Sequence, residues 1–468
     1  MKKLLSLLLA AITVLSLFAC TADKEQNEND GNDVLYSSSD IALSSENFSF
    51  TRAEVSYLFH KNYSDFKYSD PDTVDFYKID TDASLKDQVY YDDYTWFQFF
   101  ADTATDYMQE VLILCEGALA AGIELDDEDR ATIDETIKSW TDYAERYEYT
   151  EKELFSKFFN EEVNTSVMKS FLEKDALSAK YRSALVSEYE FTDDMIKEYV
   201  EKNRDNFYYI DYLKYTIDED DVSTPKATAQ TFANAKTADE FLSLVSDYIT
   251  DTLKKDEDEK TADLEECSVI GEQKKTYGTF SPWAFGGASD NQTFIEEDEV
   301  DGEYTVYFLT RAPYLDTVPT RNIRIISDNV SSYSKYQDVV DHLNELLDDW
   351  KEKSGTEEEF AKLAQSESDD ADTRDNGGYV GNMTQFDTSL GEKVRTWVFS
   401  DERKAGDTEI ILGEGCYYAV YFCGEDIPGW QLNSELSLAQ EKLENQYDEL
   451  ADKYSVTVND KVIASLEG

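Results

Sequence analysis

Histidine and cysteine set the first bound on the chemistry open to this chain. Of 468 residues only His60 and His342 are histidines, so a histidine-based triad or a zinc centre has almost no material. Beyond Cys20, four cysteines remain: Cys115, Cys267, Cys416 and Cys423. They have no regular spacing and sit among apolar or strand-like neighbours, the pattern of buried free thiols rather than of a disulfide framework or a metal site. No metal or other cofactor is implied. Carboxylates are abundant instead. Without Lys2 and Lys3 there are 41 basic and 101 acidic side chains, a net charge of about −60. Nucleic acid is thereby excluded as a ligand, since holding phosphates takes clustered lysine and arginine. The charge is spread along the chain, which suits a solvated, aggregation-resistant surface; the alternative is attraction of cationic partners or metal ions.

Cys20 is the cysteine whose setting implies chemistry. Lys2 and Lys3 precede an apolar run from Leu4 to Phe18, broken only by Ser and Thr. That run is short of the roughly 20 residues a bilayer span needs, and suits the apolar core of a secretory signal. It ends in Leu17-Phe18-Ala19-Cys20, which resembles the bacterial lipobox: a small residue before the cut, then a cysteine that becomes the lipidated N-terminus. A plain signal peptide is the alternative. Thr21 to Asp33 is polar and acidic, the composition of a tether, and two or more acyl chains would hold such a protein stably. The expectation is a signal peptide over 1–19 and a lipid-anchored tether over 20–43, with the body at the outer face of the cytoplasmic membrane.

The elements that must position any site follow from caps, periodicity and a repeat. The full sequence is 41% apolar and 13% aromatic, ample for packed cores, and about 440 mature residues suit two to four domains. Thr51-Arg-Ala-Glu54 and Thr150-Glu-Lys-Glu153 fit the capping box of a helix start. Helical spacing continues over Asp106–Ala121, Ala131–Tyr143 and Ser166–Glu188. Further on, Trp283-Ala-Phe285 recurs as Trp397-Val-Phe399, and Tyr304-Thr-Val-Tyr-Phe-Leu309 as Tyr418-Ala-Val-Tyr-Phe-Cys423. Thr237-Ala-Asp-Glu-Phe241 recurs as Thr356-Glu-Glu-Glu-Phe360, and the alternating strand Leu213–Asp218 as Ile323–Asp328. Four blocks in one order predict two tandem α+β domains, 205–316 and 317–427. Asn433 to Lys453 reads as an amphipathic helix with Leu436, Leu443, Tyr447 and Leu450 on one face.

Three stretches carry a family resemblance. Glu116-Gly-Ala-Leu-Ala-Ala-Gly-Ile-Glu-Leu-Asp-Asp-Glu128 resembles the helix-turn-helix of SurA-type and PrsA-type chaperones, and Thr192–Phe207 resembles their passage from the helical domain into a parvulin domain. Phe360–Ala364, Ser368-Asp-Asp370, Gly377-Gly-Tyr-Val-Gly381, Trp397-Val-Phe399, Gly406 and Gly415 together resemble a parvulin-type peptidyl-prolyl isomerase domain. The whole chain is similar to the PrsA-type foldase lipoproteins of Gram-positive bacteria. The resemblance implies an α+β protein: a helical chaperone domain over 44–204, completed by a C-terminal helix in 428–468 that packs on it. A degenerate parvulin-like domain (205–316) and a parvulin-like isomerase domain (317–427) lie between. It also implies a site. Prolyl isomerisation crosses about 20 kcal/mol and needs no nucleophile, only a pocket that favours the twisted imide. Parvulins set two histidines, on the first and last strands, beside an Asp or Cys. Here those positions hold Asn322 (Arg324 in a shifted register) and Tyr417, with Asp370 as the acid and Leu390, Val394 and Phe399 lining the proline pocket. The first copy has Tyr212 and Tyr304 near the strand positions and no Gly-Gly-x-x-Gly turn.

Two readings stay open: a slow isomerase, or domains that serve as scaffolds and peptide-binding surfaces. Thirty-two tyrosines, densest around Tyr90–Phe100, suit promiscuous contact with unfolded polypeptide, though half-buried packing would equally account for them. The expected partners are unfolded or partly folded exported polypeptides and, through Cys20, the membrane. The alternative function is a surface binding lipoprotein that holds a peptide, glycan or cell-wall partner. The lipobox makes a direct prediction: Cys20→Ser abolishes incorporation of labelled palmitate and moves the chain from the membrane fraction to the soluble one, as fractionation would show.

Overall fold

A computed structural model describes residues 36–466 apart from 70–73, 75, 82, 299, 334 and 414. The signal segment, Cys20 and the tether up to residue 35 lie outside the described residues. The fold is α+β, and the chain divides into two compact units, one of residues 1–190 with 436–468 and the other of residues 191–435.

The first unit opens on a hairpin, β1 (Ile41–Ser44) antiparallel to β2 (Ser49–Thr51). The expected tether boundary at residue 43 therefore falls inside a strand. The reason is local: Ala42 and Leu43 are apolar, fully buried, and anchor the start of the folded body. Helix α1 (Arg52–Ser69) follows, its start fixed by Glu54, which accepts from the Thr51 amide at 2.8 Å. A short hairpin, β3 (Val89–Tyr91) and β4 (Tyr94–Thr95), leads into α2 (Trp96–Ala121). This helix begins ten positions before the apolar periodicity at Asp106 suggested, because Thr95 and Gln98 form a reciprocal capping box ahead of Trp96. Gly122 ends it in the left-handed region, φ +70°, its amide bonding back to Ala118 and Leu119. Helices α3 (Asp127–Arg146), α4 (Glu151–Phe158) and α5 (Thr165–Ser187) complete the set, α4 under the predicted Thr150/Glu153 box. Their core runs from Leu43, Phe50 and Phe59 through Phe100, Met108 and Leu112 to Phe155 and Met168.

Inside that core lies Glu116, 2% exposed. Its carboxylate accepts from the Ser45 hydroxyl (2.6 Å), the Asn47 amide (2.7 Å) and the Asn47 side chain (2.8 Å), tying α2 to the β1–β2 turn. Burial is the largest influence on its pKa and acts to raise it. The hydrogen bonds from Ser45 and Asn47 together outweigh burial and hold it below its ordinary value.

In the second unit α6 (Asp193–Lys202) precedes two sheets of one plan. The first has β5 (Tyr208–Ile217), α7 (Pro225–Phe232), α8 (Ala238–Tyr248), α9 (Glu257–Glu266), β6 (Ser268–Gln273), α10 (Phe280–Phe285), β7 (Thr293–Asp298) and β8 (Glu303–Leu315). The second has β9 (Pro319–Asn329), α11 (Tyr336–Lys353), α12 (Glu357–Glu367), α13 (Ala371–Arg374), β10 (Tyr379–Met383), α14 (Glu392–Val398), β11 (Thr408–Leu412) and β12 (Cys416–Pro428). Strand order is β6-β5-β8-β7 in one and β10-β9-β12-β11 in the other, every neighbour antiparallel. Helices cover both faces of each sheet. In the second, Ile326, Ala419 and Tyr421 pack with Val339, Leu343, Trp350 and Phe360, while Ile323, Ile325, Val420 and Phe422 pack with Val394 and Val398. Strand β9 is accordingly not the alternating strand read from its sequence. Ile323, Ile325 and Ile326 are all fully buried because both faces are covered.

Helix α15 (Gly429–Lys453) starts in the second unit and ends in the first. In the first unit Tyr447 and Leu450 pack on Leu114, Ala118 and Tyr181. Strand β13 (Thr457–Val458) pairs with β1, and α16 (Asp460–Ala464) adds Val462 and Ile463 to the core. Arg52 donates to the Ser465 carbonyl at 2.7 Å and pairs with Glu162.

Glu116 gives the prediction here. A carboxyl depressed in the folded state contributes stability that is present above its unfolded value and lost as pH falls through the folded one. Glu116→Ala is expected to cost about 2 kcal/mol at neutral pH, since it leaves Asn47 donors unpaired. Glu116→Gln should flatten the loss of stability below the ordinary value of 4.5, measured by urea unfolding across pH.

Candidate functional site

The positions that the parvulin resemblance marks as catalytic lie at two ends of one strand pair. Asn322 sits opposite Gly424, and Tyr417 opposite Asp328, six positions along β9. At about 3.3 Å per residue that separates the two by about 20 Å. Asp370 lies at the Tyr417 end. It precedes α13, accepts from the Thr373 hydroxyl, and follows Asp369, which is bonded to the backbone of Ser327 (2.8 Å) and Asn329 (3.0 Å). The three residues do not converge on one reacting centre, because the register of β9 against β12 places Asn322 and Tyr417 at opposite ends of the ladder.

Asn322 has a different task. It is 1% exposed, and its carbonyl oxygen accepts the Asn382 amide at 2.9 Å. Asn382 is a left-handed residue, φ +58°, at a bulge of β10 against β9. The first copy repeats the device: the Asp211 carboxylate accepts the amide of Gly271 (φ +70°) at 2.8 Å, at a bulge of β6 against β5. A short acceptor on the first strand thus fixes an irregular edge strand in both copies. The Asn322 side-chain amide nitrogen is buried without a partner among the described residues.

Arg324, the shifted-register candidate, is tied to the glycine turn. It donates to Glu357 (3.1 Å), to the Asn376 carbonyl (3.1 Å) and to the Gly377 carbonyl (2.9 Å). Gly378 must be glycine twice over, with φ +70° and a Cβ position only 2.0 Å from the Ile325 carbonyl oxygen. Leu390, Val394 and Phe399 are brought together, in the cluster of Ile323, Ile325, Met383 and Phe422. Val394 is fully buried there, as part of the layer under the sheet, and Arg321 lies over the rings of Phe399 (5.4 Å) and Phe422 (5.5 Å).

The remaining reactive groups are held in structural roles. Burial pushes the thiols of Cys115 and Cys267 up to about 12 and about 11, whereas Cys416 and Cys423 are half-buried. Burial lowers His60 to about 4. His342 meets Asp328 at 2.8 Å and Tyr333 at 2.9 Å, a cluster that the sequence offered no spacing to detect. In the first copy Tyr212 gives its hydroxyl to Glu272 at 2.6 Å, and Tyr304 gives its own to Glu297. Among the described residues no group of three or more His, Cys, Asp or Glu is placed to hold a metal ion, and no helix is long and apolar enough to cross a membrane.

Two surfaces expose apolar side chains. In the first unit the dense aromatic stretch divides. Trp96, Phe97 and Phe100 are buried, but the β3–β4 hairpin leaves Val89 61% and Tyr91 54% exposed. Phe76 and Tyr77, 78% and 45% exposed, extend this patch, with the Tyr77 ring 5.3 Å from Trp96. In the second unit a cleft of about 490 Å³ lies between edge strands β6 and β10, lined among others by Tyr209, Ile270, Glu272 and Phe386. The cleft was missed at the sequence level; a lone glycine inside the β6 pattern was the available signal of a bulge.

The chain matches no family model and no curated protein. Among solved structures it is similar to foldase protein PrsA from Streptococcus pneumoniae, at 14% identity, covering 81% of this chain and 96% of that one with a TM-score of 0.26. A TM-score that low lets the likeness carry no argument about site or activity.

The geometry of Asn322 predicts a structural phenotype. Asn322→Ala should destabilise the second unit by about 1–3 kcal/mol, because the Asn382 amide loses its buried acceptor. The check is thermal unfolding beside Tyr417→Phe, which should change little.

Proposed function

We propose that the chain is an extracytoplasmic, lipid-anchored chaperone of the foldase kind, which holds unfolded or partly folded exported polypeptides and does not isomerise prolyl bonds at a useful rate. The observation that carries this reading is the exposed aromatic patch of Phe76, Tyr77, Val89 and Tyr91. Large amphipathic rings bury much area at small entropic cost and accept many partners, which suits weak contact with varied sequences. The motifs similar to PrsA-type chaperones support it, as does the dispersal of Asn322, Asp370 and Tyr417 along the sheet. A net charge of −58 would keep such a protein soluble while it exposes apolar rings. The lipobox supports anchoring through Cys20 at the outer face of the cytoplasmic membrane.

Two assays on the same chain test the reading. Suppression of the aggregation of a chemically unfolded client should occur near stoichiometric ratios and weaken several-fold in Val89→Ser/Tyr91→Ser. A protease-coupled prolyl isomerisation assay should show the uncatalysed rate. Acceleration that Asp370→Ala removes would instead establish an isomerase, and absence of any suppression would sink the chaperone reading.

A further inference from the structure

The cleft between the two sheets has features that client binding at the aromatic patch does not use. Each four-stranded sheet leaves its second strand at an edge: β6 has β5 on one side and β10 has β9, with no strand on the other side of either among the described residues. Both edges are bulged, at Gly271 and at Asn382, and both bulges are pinned by a side chain of the neighbouring strand. The cleft is floored by aromatic rings. Phe386 lies against Tyr209 with centroids 4.8 Å apart, and a Cβ on Gly271 would sit 2.2 Å from the Phe386 ring, so the ring rests on bare backbone. Gln385 donates to Asp316 at 2.8 Å, and the Asp211 carboxylate that holds Gly271 also receives the Tyr314 hydroxyl at 2.7 Å, so the turn after β10 and the strand beside β6 are both fixed. Ile270 stands on the β6 edge 64% exposed.

An unpaired edge with an exposed branched side chain, above an aromatic floor, accepts one kind of partner readily: an extended backbone that adds as a further strand. The charge of the cleft narrows that partner. Asp387 and Glu272 line it and no lysine or arginine does; Lys275 takes up the Glu272 charge at 2.5 Å, so Asp387 is the lining carboxylate without an ion-pair partner among the described residues. Lys274, next in sequence, is likewise paired, with Asp205 at 2.5 Å. We propose that this cleft is a second client site, which takes an extended, cationic segment of unfolded polypeptide, pairing its backbone with the β6 edge and setting an apolar side chain against Phe386 and Tyr209. The proposal deepens the chaperone reading and rests on it for the identity of the partner, but it places binding at a site apart from the aromatic patch.

The test uses the full chain and three fluorescein-labelled nine-residue peptides of alternating Val and Lys around one Phe. One is unmodified, one has Asp for every Lys, and one is N-methylated at alternate residues to block strand pairing. The unmodified peptide should bind, and the other two should bind at least tenfold more weakly. Ile270→Lys/Asp387→Lys, both changes at the cleft surface, should lower affinity for the first peptide at least tenfold, with circular dichroism unchanged. Equal binding of all three peptides, no binding of any, or full affinity in the double variant overturns the cleft proposal. So does a concentration-dependent dimer that the double variant abolishes, since the occupant would then be a second copy of the chain. Client aggregation assays on the same preparations separate the two claims. Suppression that persists with no peptide binding leaves the chaperone reading standing and removes the cleft; peptide binding without suppression does the reverse.

Discussion

In both halves of the second unit the first and last strands of the copy pair with each other at the centre of the sheet, β5 with β8 and β9 with β12. Everything else there depends on this pairing. It joins segments about a hundred residues apart, so the chain must close a long loop before the contact is rewarded. Once it is made, the helices between have nowhere to go but the two faces, and the two later strands can only add at the edges. The apolar runs of β9 and β12 answer to that: residues on both sides of each strand are buried, and a polar substitution on either face would remain inside a core. The central ladder also fixes which groups can meet. Residues at opposite ends of β9 stay apart however their types suggest a partnership, which is why Asn322 and Tyr417 never share a centre.

Edges are the cost of this topology. A central long-range pair leaves β6, β7, β10 and β11 outermost, and unpaired strand edges invite other strands. The structure answers with bulges at β6 and β10, each pinned through a side-chain acceptor, Asp211 or Asn322. Bulging twists an edge and removes the flat template that a second copy would need, yet leaves a short accessible stretch. The strong negative charge further biases these edges against copies of this acidic chain.

What the sequence made legible was whatever local chemistry decides. The boxes at Thr51 and Thr150 and the order of blocks in the repeat are set by residues three apart, or by similarity that needs no geometry. Helix α2 shows where such reading stops short: its true start is a Thr95–Gln98 box hidden in an aromatic stretch whose periodicity gave no helical phase. The site was harder, because register is a non-local quantity. From sequence the first-strand position could fall on Asn322 or on Arg324, two residues further along the same strand. In the structure one residue caps a bulge and the other braces the Gly377–Gly378 turn. Neither role leaves a spacing signature. Asp328, Tyr333 and His342 cluster through the packing of α11 on the strand, which no motif encodes.

The two copies show how one sheet plan accommodates different side chains on its first strand. In the first copy Asp211 has the place of Asn322, holding the Gly271 amide, and Tyr212 beside it packs edge-on to Phe280 at 4.8 Å with its hydroxyl satisfied by Glu272. The second carries Asn322, satisfied on its acceptor side by Asn382. Each of these residues brings a partner, while the Asn322 side-chain nitrogen has none among the described residues, and burial without a partner is what costs a fold most. Position and fold are therefore separable here: the sheet demands a residue that can be packed and hydrogen-bonded at that point, not one that can react. That demand is set by packing on both faces and by the bulge at the edge, and it is met by Asp211 in one copy and by Asn322 in the other.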